Sequence, residues 1–157
     1  MQKHVRFIYS VVALSIVALY LALASCGATP LTEVPPAMVG TWQGEATIIV
    51  AWVDQETLPV RVTIHPDSRV EGQAGDATLV DGSLRKNPLG SPYIIMADLD
   101  GPIVATEGIE RVGVKMPLDF EEGQFVGGVA TTGTEMGGKE TMILTASDLV
   151  LTRIETE

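Results

Sequence analysis

The stretch that decides the fold is Gly40-Thr41-Trp42-Gln43-Gly44-Glu45-Ala46-Thr47-Ile48-Ile49-Val50-Ala51-Trp52. Apolar or small residues occupy every second position from Trp42 to Trp52, and polar residues lie between them as far as Thr47. Because successive side chains of a β-strand point to opposite faces, this alternation predicts one long strand. Beyond Thr47 both sets of positions are apolar, which indicates that the end of the strand is covered on both faces.

The rest of the chain repeats this pattern in shorter segments. Turn residues separate the segments, as in Gly75-Asp76, Asp81-Gly82 and Glu122-Gly123. Further strands are predicted at residues 60–65, 69–71, 77–80, 93–99, 109–116, 124–130, 141–144 and 149–154. A short helical turn is predicted near Pro117–Glu122. The pattern indicates an all-β domain, an antiparallel meander of about eight strands that forms a small barrel or a sandwich.

The N-terminus has the features of a secretory signal. A basic start, with Lys3 and Arg6, precedes an apolar run from Phe7 to Ala24, and no acidic residue occurs before Glu33. The run predicts an N-terminal signal helix. Its length is also just sufficient for an uncleaved transmembrane anchor, which is the alternative interpretation.

The end of this run, Leu23-Ala24-Ser25-Cys26, resembles the lipobox of bacterial lipoproteins. The resemblance implies cleavage between Ser25 and Cys26 and covalent lipid on the Cys26 thiol, with two or three acyl chains that anchor the protein stably. It divides the chain into a signal peptide (1–25), a lipidated, proline-rich tether (26–38) and an all-β domain (39–157). It also implies export and attachment to a bacterial membrane: the outer membrane if the organism has one, otherwise the outer face of the cytoplasmic membrane.

The charge and the cysteine content of the chain limit the classes of partner and the kinds of chemistry that can be expected. Two of the ten basic residues, Lys3 and Arg6, precede Cys26, whereas all 20 acidic residues follow it, so the processed chain has a net charge of −12. Such a surface repels phosphates, which argues against nucleic acid as a partner. Cys26 is the single cysteine, and its acylation would leave no thiol for catalysis or for a metal site.

The start of the domain, Gly40-Thr41-Trp42, resembles the glycine-any-tryptophan opening of lipocalin and related calycin β-barrels. In that family the tryptophan closes the barrel floor against a basic residue from the last strand. The resemblance implies the same role for Trp42, with Arg153 as its partner. The second signature of the family, a threonine-aspartate-tyrosine turn, is absent.

Four segments imitate known sites but lack essential residues. The segment Gly133–Glu140 nearly matches a phosphate-binding loop, but Glu140 replaces the magnesium-binding hydroxyl, so a glycine-rich hairpin is predicted instead. Asp98 and Asp100 lack the remaining ligands of a calcium loop. The acidic pairs Glu121-Glu122 and Asp54 with Glu56 fall at predicted turns.

His65 is the single histidine after Cys26, and no partner for acid–base chemistry is evident near it. The sequence therefore predicts no catalytic residue, no metal site and no cofactor.

Two functions remain in view. The first is an interaction or structural domain with a filled core that contacts a protein of the cell envelope. The second is a lipocalin-like barrel that holds a small apolar ligand; candidate lining residues are Trp52, Tyr93, Met96, Phe125 and Met142. The first is favoured because many inward positions are small or β-branched. A hydrolase-type enzyme is a third alternative, without a supporting motif.

Overall fold

The computed structural model describes residues 27–49, 55–88, 90–104, 111–134 and 140–155. Several predicted features lie outside these residues: the signal peptide with Ser25 and Cys26, Trp52, Asp54, the centre of the glycine-rich hairpin and the side chain of Met142. The described ranges contain no helix, and hence none that could cross a membrane.

Nine strands make up the described fold. They are β1 (Thr29–Pro30), β2 (Gly40–Ile48), β3 (Thr57–Ile64), β4 (Arg69–Ala74), β5 (Ala77–Lys86), β6 (Tyr93–Asp100), β7 (Arg111–Glu121), β8 (Gln124–Thr134) and β9 (Glu140–Ile154). From β2 to β9 each strand pairs antiparallel with the next, and β2 pairs with β9, so that eight strands close on themselves. The prediction of an all-β antiparallel meander is confirmed, and closure makes it a barrel rather than a sandwich.

The helical turn predicted near Pro117–Glu122 is wrong. Pro117 pairs with Ile94 inside β7, and Phe120 pairs with Phe125 across the β7–β8 hairpin. Proline lacks an N–H, but it fits a sheet where that donor is not needed for the ladder. The hairpin turn itself, Glu122-Gly123, lies at the predicted place, and both residues have positive φ angles, 49° and 80°.

The predicted turn at Asp81-Gly82 and the predicted break between the strands at 141–144 and 149–154 are irregularities within strands. Asp81, with a φ of 51°, lies in β5, where the pairing with β6 shifts between Val80 and Ser83. Asp148, with a φ of 56°, lies in β9, which joins the two strands predicted at 141–144 and 149–154. Aspartate tolerates the left-handed conformation, so at these positions it forms a bulge that bends a strand instead of ending it.

Side chains fill the interior of the barrel. The largest of them are less than 2% exposed: Trp42, Phe125, Leu58, Ile64, Leu84, Ile95, Ile103, Met116, Leu118, Leu149 and Leu151. Gly44 allows close packing of β2 against β9, since a Cβ there would lie 1.8 Å from the Val150 carbonyl oxygen. Burial of this apolar set provides the main driving force for folding.

The barrel has two different ends. One end, called here the capped end, holds the start of β2, the β3–β4 and β7–β8 hairpins and the end of β9. The opposite end holds the β2–β3, β4–β5, β6–β7 and β8–β9 connections. Ile103 and Val104, in the β6–β7 connection, are buried at the opposite end, where the Ile103 carbonyl accepts a hydrogen bond from the Asp76 N–H.

Candidate functional site at the capped end

The segment Gly27–Val39, called here the cap, covers one end of the barrel. Thr29 and Pro30 pair with Lys86 and Arg85 of β5, and the Val34 N–H donates to the Pro66 carbonyl at 3.2 Å. Most of this segment was expected to be an extended tether, but it packs against the domain. The reason is apolar burial, since Val34 and Met38 are only 2% and 4% exposed.

A tight turn brings Met38 back over the barrel. The Met38 N–H donates to the Pro35 carbonyl at 2.8 Å, and the Val39 N–H donates to the Pro36 carbonyl at 3.3 Å. Proline is well suited to the early positions of such a turn because its φ is already fixed near the required value. Two prolines that indicated an extended tether thus support a compact turn.

Trp42 and Arg153 are brought together beneath this turn. They pair across β2 and β9, and the guanidinium carbon lies 5.0 Å from the centre of the indole ring, a cation–π contact. The Trp42 Nε1–H donates to the Met38 carbonyl at 2.9 Å. Trp42 is therefore fixed both by its pairing across the sheet and by the backbone of the cap.

Arg153 holds the cap directly. Its Nη2 donates to the Ala37 carbonyl at 2.6 Å and to the Val39 carbonyl at 2.7 Å. A guanidinium suits this position because it presents several donors in one plane while it stacks on an aromatic ring. One side chain of the last strand thus links the cap to the first strand of the barrel.

An aromatic cluster fills the space under the cap. The Trp42 and Phe125 rings lie 4.8 Å apart, Phe120 lies 4.9 Å from Phe125, and Trp42 meets Phe120 edge-on at 6.0 Å. Such pairs contribute about 0.5–1.5 kcal/mol each beyond the area they bury. The interior of the barrel at the capped end is therefore packed with aromatic rings and is not open to a ligand.

The side chains proposed to line an apolar pocket do not converge. Phe125 is fully buried in the floor, and Tyr93 is half-buried against the core. Met96 lies on the outer wall, where it pairs with Lys115 of β7. Trp52 and the side chain of Met142 lie outside the described residues.

A groove of about 720 Å³ crosses the outer wall over β5 to β8. Its charged lining residues are Arg85, Lys115, Asp81 and Asp98, and in the described part of the chain none of the four forms an ion pair within 4.0 Å. Gly113, which pairs with Asp98, leaves the floor of the groove free of a side chain. The sequence pattern does not reveal this groove, because only the register of β5, β6 and β7 places these residues side by side.

His65 belongs to a small charged cluster on the β3–β4 hairpin. Its Nε2 lies 3.5 Å from Glu71 Oε2 without a hydrogen bond, and Glu71 is paired with Arg69 at 2.8 Å. No hydrogen bond joins His65 to the neighbouring Ser68 hydroxyl within the described residues. The cluster thus lacks the nucleophile–base contact that a hydrolase needs.

The remaining sequence candidates lie apart from one another. Glu121 and Glu122 are exposed at the β7–β8 hairpin, whereas Asp98 and Asp100 are exposed on β6. Gly133 and Glu140 lie on the paired strands β8 and β9, so their segment joins two strands rather than a strand and a helix. Across the described ranges, no three His, Cys, Asp or Glu side chains are placed to hold a metal ion.

The site that the structure does assemble is the contact of the cap with Trp42 and Arg153. Of its parts, the sequence indicated the two side chains through the lipocalin resemblance, but not the three cap carbonyls that they bind. No known family model matches the chain, and neither a characterised protein nor a solved structure is significantly similar to it.

Proposed function

We propose that this chain is an exported bacterial lipoprotein, held on a membrane by lipid on Cys26, whose barrel is a non-catalytic interaction domain of the cell envelope. The lipobox-like segment supports the anchor. The filled barrel interior is the observation that favours an interaction domain over a carrier of small apolar ligands.

The reason is volume. Pockets for small ligands are typically about 300 Å³ or larger. In this barrel Trp42, Phe125, Met116 and Leu118 are all at most 1% exposed and occupy the central space themselves. To admit a ligand, several of these side chains would have to leave the core, and moving each large one into water costs about 1.5–3 kcal/mol.

The outer wall offers the surface for a partner. Val80 and Val150 are each 41% exposed there, and the groove over β5 to β8 combines charges of both signs with the Met96 side chain. Mixed apolar and charged character is typical of non-obligate protein interfaces. A protein of the envelope is therefore the partner that this surface fits best.

Processing tests the anchor. Protein from membranes of its own host should yield an N-terminal Cys26 peptide that carries two or three acyl chains by mass spectrometry. Cys26→Ser should abolish acylation and leave an uncleaved precursor, whereas Ser25→Ala should be processed normally because it keeps a small residue at that position. Normal cleavage of the Cys26→Ser protein would refute the lipoprotein assignment.

The presence or absence of a bound small molecule tests whether the barrel is an interaction domain or a carrier. Native mass spectrometry with lipid extraction on residues 27–157, purified from the host, should show a protein free of ligand. A small apolar molecule that co-purifies at near-stoichiometric occupancy would contradict the proposal and identify the barrel as a carrier.

A further inference from the structure

We infer that the capped end of the barrel faces the membrane, with the cap lying against the headgroups of zwitterionic phospholipids and the opposite end directed away. This orientation rests on the proposed acylation of Cys26. It assigns a binding partner, a lipid surface, to the outer face of the cap.

The first reason is the length of chain available. Because β1 begins at Thr29 and pairs with β5, only Gly27 and Ala28 separate Cys26 from the barrel. Three residue steps span at most about 10 Å of extended chain. An acyl chain on Cys26 therefore keeps the capped end close to the bilayer surface.

The second reason is that the cap is fixed. To lengthen the connection by a few residues, β1 would have to separate from β5. To lengthen it further, the cap would have to leave the barrel, which would expose the buried Val34 and Met38. It would also break the bonds from Arg153 and Trp42 to the cap carbonyls. These contacts act together, so the cap and the barrel move as one body, and the orientation of the cap fixes that of the domain.

The third reason is charge. In a processed chain with a net charge of −12, the cap contains a single charged residue, Glu33, and it exposes the uncharged run Pro35-Pro36-Ala37. Approach of an uncharged surface to a bilayer avoids the cost of desolvating ions. The strand ends and hairpins at the same end carry exposed charges of both signs, namely Asp67, Arg69, Lys86, Glu121 and Glu122. This end therefore has no excess of basic residues to attract anionic lipid, which is why the occupant is a zwitterionic surface.

The expected distances are different enough to measure. Strands of β-barrels rise about 3.3 Å per residue and tilt by about 40°, so the nine residues of β2 place the two ends about 20 Å apart. Ala37, in the cap, and Asp76, in the β4–β5 turn, are both exposed and mark the two ends.

The test uses the acylated protein in phosphatidylcholine vesicles that contain headgroup-spin-labelled lipid. Ala37→Cys and Asp76→Cys each provide one free thiol for a fluorophore, since the Cys26 thiol carries lipid. The label at position 37 should be quenched several-fold more strongly than the label at position 76. Equal quenching, or stronger quenching at position 76, would overturn the orientation.

Two controls distinguish failure of the proposed lipid anchor from failure of the proposed orientation. The N-terminal peptide is analysed by mass in the same samples, and absence of acyl chains would refute the proposed lipoprotein together with the orientation. Acylated protein with equal quenching, or with stronger quenching at position 76, would refute the orientation alone. Insertion of a flexible glycine-serine segment after Ala28 should reduce quenching at position 37. Unchanged quenching would show that the length of the connection does not set the position of the domain.

Discussion

Removal of the Arg153 side chain should release the cap and weaken the fold. Arg153→Ala deletes two hydrogen bonds to cap carbonyls and the contact with Trp42. A hydrogen bond has a net value of about 0.5–1.5 kcal/mol, and an exposed cation–π contact about 0.5–1 kcal/mol. Arg153 is solvent-exposed and water can replace it at the carbonyls. The lower values therefore apply, and the free energy of unfolding should fall by about 1.5 kcal/mol in total.

Urea unfolding followed by tryptophan fluorescence measures this change. A Trp52→Phe background leaves Trp42 as the single tryptophan, so the signal reports the floor of the barrel. Arg61→Ala is the matched control, because Arg61 is exposed on β3 and its side chain forms no ion pair or hydrogen bond with another described residue. Surface changes of that kind usually stay within about 0.5 kcal/mol.

Hydrogen exchange locates the effect. In Arg153→Ala the amide hydrogens of Val34, Met38 and Val39 should exchange faster, because their bonds depend on the cap staying in place. Equal stability of the Arg153→Ala and Arg61→Ala proteins, with unchanged exchange in the cap, would refute the idea that Arg153 holds the cap.

Further substitutions test the packing of the barrel. Phe125→Ala should destabilise by about 3–5 kcal/mol in urea unfolding, because it empties a fully buried site beside Trp42; a loss below about 1 kcal/mol would mean that the floor is not tightly packed. Gly44→Ala should separate β2 from β9 and lower the thermal midpoint far more than Gly27→Ala, since a Cβ at position 44 meets the Val150 carbonyl at 1.8 Å and one at position 27 meets nothing within 4 Å. Similar midpoints for the two glycine variants would contradict the close approach of the strands.

The filled interior has a physical cause in residue size. Many inward positions carry alanine, valine or glycine, as at Ala46, Val60, Gly82 and Val129, and these small side chains let opposite walls approach each other. The few large side chains then suffice to occupy the remaining space. Such a barrel is stabilised by close packing throughout, and a ligand would compete with that packing instead of completing it.

Period-two alternation predicted the strands and their buried faces well, because side-chain alternation is a local property of the backbone. It was less successful where one residue changed the backbone direction. Turns were predicted at Asp81-Gly82 and near Pro117–Glu122, yet Asp81-Gly82 and Pro117–Glu121 lie within strands because pairing with neighbouring strands outweighs local preference. Similarly, the prolines of the cap indicated an extended chain, and the burial of Val34 and Met38 decided otherwise.

The sequence by itself determined the all-β class and the acidic character of the domain. It also contains the lipobox-like segment on which the proposed anchor rests. Alternation, short motifs and charge are properties of residues close together in the chain. Only the tertiary structure decided that the meander closes through the β2–β9 pairing, that the barrel is filled and that Arg153 reaches the carbonyls of Ala37 and Val39. The β2–β9 pairing and the bonds of Arg153 join residues more than a hundred positions apart, which only strand register brings together. The filling of the interior depends on the volume that the closed barrel encloses.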